Sequence, residues 1–163
     1  MRTFLLSLTC AACFLSAEAA ADQSTATCEC GKPESQHMLP AGDRPDHSLG
    51  VQALQCSWSK PLELGGEKTR DSVATELIEV SGARFHVRSG VHELTMQSGD
   101  KVALLYRGTG VSQSDRDAQV KGSFTIAHGT GKLKGIKGTG TFDCKSAGDS
   151  ASCEVVAEYS LNK

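Results

Sequence analysis

The chain has 163 residues, with 17 lysines and arginines against 19 aspartates and glutamates, a net charge of −2. Such a balance offers no electrostatic footprint for nucleic acid or an anionic membrane surface. The length is that of one domain, long enough to bury a real core.

Residues 1–21 read as a signal peptide. Arg2 supplies the positive start, Phe4 to Leu15 is a short apolar core, and small residues lead to Ala19-Ala20-Ala21, with Ala17 and Ala19 as an alternative cleavage frame. The apolar run is about half of the roughly 20 residues that a spanning helix needs, and no later segment is apolar enough to span. Cleavage removes Arg2 and Glu18 together, so the charge balance stands. It also removes Cys10 and Cys13 and leaves Cys28, Cys30, Cys56, Cys144 and Cys153 in an oxidising compartment, periplasmic or extracellular. An odd count leaves one thiol unpaired.

Residues 22–47 hold Pro33, Pro40 and Pro45, scattered charges and few large apolar side chains. The reading is an extended arm without regular strands. Residues 48–163 then form the folded domain. Leu49 to Trp58 reads as a first strand, ended by Lys60-Pro61 and Gly65-Gly66. Ser72 to Val80 alternates, placing Ala74, Glu76, Ile78 and Val80 on one face and Val73, Thr75, Leu77 and Glu79 on the other. A glutamate on that mostly apolar face is the informative detail.

Ala83 to Gln97 is a long strand whose alternation slips at Ser89-Gly90. Phe85 and Val87 share a phase with Leu94 and Met96 only across a bulge, and the facing of His86 and His92 depends on it. Lys101 to Gly110 sets Val102, Leu104 and Tyr106 against Ala103, Leu105 and Arg107, and Ser112 to Asp117 is a polar loop. In the next strand Val120, Phe124, Ile126 and His128 share a face. Helical period is almost absent. The fold class is therefore all-β, a single antiparallel up-and-down β-barrel of about seven or eight strands, with a β-sandwich as the alternative.

The last hairpin yields a register. With Gly148 and Asp149 at the centre of its turn, Cys144 lies opposite Cys153 and Phe142 opposite Val155, and Cys153, Val155, Ala157, Tyr159 and Leu161 occupy one face. A Cys144–Cys153 disulfide follows from that register. Cys28 and Cys30 then compete for Cys56. Cys28, Cys30, His37, Met38 and Cys56 are also the ligand types of a copper(I) or zinc site. Exported cysteines oxidise, so an arm disulfide is expected there, and neither metal nor cofactor.

Gly129 to Gly138, GTGKLKGIKG, invites a phosphate-cradle reading that fails both templates. Ile126 stands where a P-loop needs its first glycine, Leu133 follows Gly131-Lys132, and Lys134 replaces the third glycine of a dinucleotide fingerprint. A tight crossing between strands with solvated lysines remains. Asp43, Arg44, Asp46 and His47 form the densest polar cluster, just ahead of the first long strand. It is either a ligand-contacting group, with a carboxylate making a general base of His47, or a structural plug that satisfies backbone.

The glycine-rich connection resembles the strand link of the allene oxide cyclase and dirigent barrel superfamily. Residues 40–163 resemble small secreted bacterial proteins with an allene-oxide-cyclase-like barrel, a group of unassigned activity. The resemblance lies in PAGDRPDHS at Pro40–Ser48, CSWSKP at Cys56–Pro61, Gly99-Asp100-Lys101 and the Gly129–Gly138 segment. It implies a barrel that holds a small apolar molecule, and association as dimers or trimers. Phe85, Val87, Leu104, Tyr106, Phe124, Ile126, Phe142 and Val155 would line or fill the interior, with Tyr106 a ligand contact. An isomerase or cyclase of the allene oxide cyclase type is the rival reading, with Glu76, Glu79 or His47 as the polarising group. A solidly packed structural or interaction protein is the third.

Overall fold

The structure is a computed structural model that describes residues 21–112 and 117–161. Ten strands form one sheet: β1 (Asp22–Cys30), β2 (Ser35–Pro40), β3 (His47–Lys60), β4 (Glu63–Leu64), β5 (Glu67–Ser81), β6 (Arg84–Met96), β7 (Lys101–Ser112), β8 (Asp117–Gly129), β9 (Ile136–Ala147) and β10 (Ser150–Leu161). Eight of them close in the order β3-β1-β10-β9-β8-β7-β6-β5 and back to β3, every neighbour antiparallel. The protein is a closed antiparallel barrel with two short extra strands. Closure pairs the edges that an open sheet of this length would expose.

The arm departs from the sequence reading. Asp22–Cys30 is no appendage; it is the strand that closes the barrel, hydrogen-bonded to β10 on one side and β3 on the other. Its inward residues are Ala26, Cys28 and Cys30, all buried. Alternation built from side chains so small carries little hydrophobic signal, which is why composition reads it as irregular. The prolines bound strands here and do not break them. Pro33 lies in the connection after β1, and Pro40 ends β2, which continues along the same edge of β3 through Ser35↔Ala53 to Pro40↔Ser48. The signal-peptide reading falls almost entirely on residues outside those described.

Interior residues alternate along each strand as the pleat demands. In β6 the register shifts between Val87 and Gly90 against β7, and Leu77/Ile78 of β5 meet Ser89 and Val87 with Arg88 skipped. That bulge brings Val87, Leu94 and Met96 to one buried face. A second shift, where Ala103 pairs with His128 and Leu104 with Ile126, turns His128 outward to solvent. The inward placement expected for His128 is thereby corrected, because one extra residue flips every side chain beyond it. The last hairpin pairs Cys144 with Cys153 and Phe142 with Val155, turning at Gly148 with φ +66°.

The two ends of the barrel differ. At one, Leu62 and Leu64 fold under the strands and meet Met96, Val102 and Leu133, all fully buried. This plug is pinned by polar contacts. Thr69, itself buried, donates its hydroxyl to the Leu62 carbonyl at 3.0 Å and accepts from the Leu62 N–H at 2.7 Å, and Gly65 N–H donates to the Tyr159 hydroxyl at 3.0 Å. The other end, ringed by the β1–β2 connection and the Gly148-Asp149 turn, is open.

Candidate functional site

The open end leads into a cavity of about 370 Å³ within the barrel. That is inside the usual range for small-molecule sites, about 300–1,000 Å³. Its wall is mainly apolar: Leu54, Ala74, Val87, Leu104, Phe124 and Val155, with Trp58, Phe85, Tyr106 and Phe142 as aromatic surfaces. Lys32 and Asp149, both exposed, stand on the loops at the rim.

Besides the serines Ser112, Ser146 and Ser150, two hydrogen-bonded polar groups, one at Glu76 and one at His92, reach this wall. Glu76 reaches it because β5 alternates as the sequence indicates, with Ala74 and Ile78 buried beside it. Its carboxylate accepts from the Tyr106 hydroxyl at 2.7 Å and from the Gln52 amide nitrogen at 2.7 Å, and the Gln52 carbonyl accepts from Gln36 at 3.0 Å. The Tyr106 phenol is pushed well above its ordinary range by burial, by the charge of Glu76 and by the bond to it. It stays protonated and donates.

The second group centres on Ser72, whose oxygen accepts from the Trp58 indole N–H at 3.0 Å and lies 2.8 Å from His92 Nε2. Burial lowers the His92 pKa to about 4, so the ring is neutral at physiological pH. Rings continue from there around the wall. Trp58 stacks on His92 at 6.1 Å, His92 tilts toward Tyr106 at 6.2 Å, and Tyr106 meets Phe142 edge-on at 5.8 Å.

Glycines make room for these rings. A Cβ at Gly90 would lie 2.3 Å from the Tyr106 ring, and one at Gly122 would lie 2.3 Å from that of Phe142. The aromatic side chains rest across the backbone of the neighbouring strand, which a methyl group would block.

Sulfur forms a third feature. Cys30–Cys56 and Cys144–Cys153 are disulfides, and Cys28 is a free, buried thiol. The open choice between Cys28 and Cys30 thus falls to Cys30, which stands directly opposite Cys56 across the β1–β3 ladder. The Cys28, Cys30 and Cys153 sulfurs lie within 4.8 Å of one another. Two of the three are committed to disulfides, leaving a single thiol, raised to about 12 by burial and then by the neighbouring charge of Glu29. His37 and Met38 pair with Val51 and Gly50, several residues along β3 from Cys56, so the soft-ligand set of the sequence is not brought together.

Of the polar candidates from the sequence, Glu76 and Tyr106 meet in the cavity, and His47, Glu79, Asp43, Arg44 and Asp46 do not line it. Glu79, on the opposite face of β5, pairs with Arg88 and with His47 Nε2 at 3.1 Å. Arg88 first, then His47, holds its carboxyl below the usual range. His47 Nδ1 contacts Asp43 at 2.5 Å, and Arg44 binds Asp43 at 2.7 Å and the Ser81 hydroxyl at 2.8 Å. The His47 bond first holds the Asp43 carboxyl low. Asp46 contributes its backbone carbonyl, accepting from Gly82 N–H at 2.9 Å. This cluster clamps the 41–46 turn onto β5, and none of its members lines the cavity. Trp58, Ser72, Gln52 and His92 were absent from the sequence candidates. Sharing the phase of Leu94 and Met96 beyond the bulge was the one signal that could have found His92.

No family model matches the chain, and no curated protein does. Among solved structures, the chain is similar to the pterocarpan synthase dirigent protein GePTS1, with a TM-score of 0.44 and 10% identity over 99% of this chain and 100% of that one.

Proposed function

We propose that this protein is an exported barrel that binds a small, largely apolar molecule in its open-ended cavity, without turnover. The observation that carries the reading is a roughly 370 Å³ aromatic-walled space with the Glu76–Tyr106–Gln52 group on its side. Pockets of that size and lining, with few convergent polar groups, are the usual form of ligand sites. Two disulfides fit an oxidising compartment, and no helix among the described residues is long and apolar enough to cross a membrane.

Titration with the neutral fluorophore N-phenylnaphthylamine tests the reading. Saturable enhancement is expected, lost in an Ala74→Leu variant that fills the wall while keeping its thermal transition. Enhancement that does not saturate would count against it.

A cyclase reading draws support from Glu76 alone, since Glu79 and His47 are engaged outside the cavity. The hollow interior counts against a barrel packed solid. Association of copies is also part of the proposal. Leu49, Val51, Leu77, Val91 and Leu105 are exposed on the outer wall of β3, β5, β6 and β7, a contiguous apolar area of the kind that a second copy covers.

A further inference from the structure

Charge is placed unevenly around this barrel. On the outside, carboxylates find cations: Asp43 with Arg44, Glu79 with Arg88, Glu93 with Lys101, Glu67 with Lys132, Asp143 with Lys121. Glu76 does not. Both hydrogen bonds to its carboxylate come from neutral donors, Tyr106 and Gln52, and no salt bridge to it exists among the described residues. Two basic residues line the cavity among the described residues: His92, which is held neutral, and Lys32 on the exposed loop after β1, and neither makes a salt bridge to Glu76.

A carboxylate in partly apolar surroundings favours an opposite charge nearby far more than it would in open water. Beside Glu76 stands the Tyr106 ring, which meets Phe142 edge-on and leads through His92 to Trp58 along the cavity wall, and aromatic rings attract organic cations through their quadrupoles. A carboxylate at the end of an aromatic wall suits an ammonium group on an apolar body. It repels a carboxylate-bearing ligand.

Taking the cavity to be a ligand site, we infer that its occupant is a small organic cation, an aryl- or alkylamine whose ammonium group is held by Glu76 and whose apolar body lies against Trp58, Tyr106 and Phe142. Gln52 and Tyr106 fix the carboxylate from behind, so it is oriented before the ligand arrives. The chain's single tryptophan, Trp58, lines the cavity and reports occupancy directly.

The test uses three probes of one shape at neutral pH: phenylbutylamine, phenylbutanol and phenylbutyrate, titrated into the full-length protein while following Trp58 emission. The amine is expected to bind at least about tenfold more tightly than the alcohol, with the acid weakest. In Glu76→Gln, which keeps an acceptor for Tyr106, the preference for the amine over the alcohol should disappear. Alcohol binding as tight as the amine's in the unaltered protein would overturn the cation inference and leave the cavity reading standing. A preference for the amine that survives in Glu76→Gln would overturn the role of Glu76. Absence of binding by all three probes would overturn the cavity reading as well. Should the variant fail to fold, the ranking of the three probes on the unaltered chain still decides.

Discussion

His92 closes off the inner wall between Trp58 and Tyr106, its Nε2 on Ser72, and burial sets its pKa at about 4 against 6.5 in an unfolded chain. A lowered histidine pKa means that the unfolded state takes up the proton first as pH falls. The native state therefore loses stability progressively from pH 6.5 down to about 4, and gains nothing above pH 6.5. With 1.36 kcal/mol per pKa unit, the loss is about 2 kcal/mol by about pH 5 and about 3 kcal/mol once both states are protonated. Urea unfolding at neutral and mildly acid pH should show that slope, and His92→Gln should flatten it. A histidine variant with an unchanged slope would place the acid sensitivity elsewhere. Cys28 follows the same logic of burial: its thiol, raised to about 12, stays protonated beside two disulfides and is a poor nucleophile.

At the level of strands, side-chain size on one strand is matched to glycine on the next. Gly90 in β6 sits beneath Tyr106 in β7. In Gly90→Ala the new methyl would lie 2.3 Å from that ring and must displace it; overpacking of this kind costs typically about 1–3 kcal/mol. Moving Tyr106 also withdraws its hydroxyl from Glu76. Gly90→Ala should therefore lower the thermal midpoint, alter the near-ultraviolet aromatic signal and weaken amine binding in the Trp58 assay. A variant with wild-type melting and binding would show that the ring can shift freely. The alternation of β5 and the glycine-centred last hairpin were legible in the sequence because Ile78 and Val80 in the one, and Phe142, Val155 and Tyr159 in the other, mark an apolar face at period two. The strand role of Asp22–Cys30 was not, since Ala26, Cys28 and Cys30 are too small to stand out as an apolar face.

For the molecule as a whole, closure of the barrel hides one face of the sheet and leaves the other to solvent. Part of that outer face is apolar: Leu77 is 46% exposed, Val91 44% and Leu105 49%. The register sets Val51 against Leu77 and Val91 against Leu105, so these side chains adjoin across strands. Light scattering is expected to give a mass above that of one chain, and the double variant Leu77→Lys and Val91→Lys should return a monomer with an unchanged cavity. A monomer at high concentration without substitutions would refute that surface as a contact between copies.

Residue order by itself determined the all-β, antiparallel class, the pairing of Cys144 with Cys153 and the inward phase of Glu76, Leu104, Tyr106, Phe124 and Phe142, because period-two alternation and a glycine-centred turn are local properties of the chain; closure into a barrel and not a sandwich was left to the structure. Only the tertiary structure decided the rest. Closure by β1 depends on distant β3 and β10 offering it free edges. That Glu79 is ion-paired and Glu76 is not depends on His47 of β3 and Arg88 of β6 reaching the outer face beside Glu79. Whether the barrel is hollow depends on how Leu62, Leu64 and the ring of aromatics divide its volume: they fill one end completely and leave the other open, a sum over side chains from every strand that no single stretch of sequence contains.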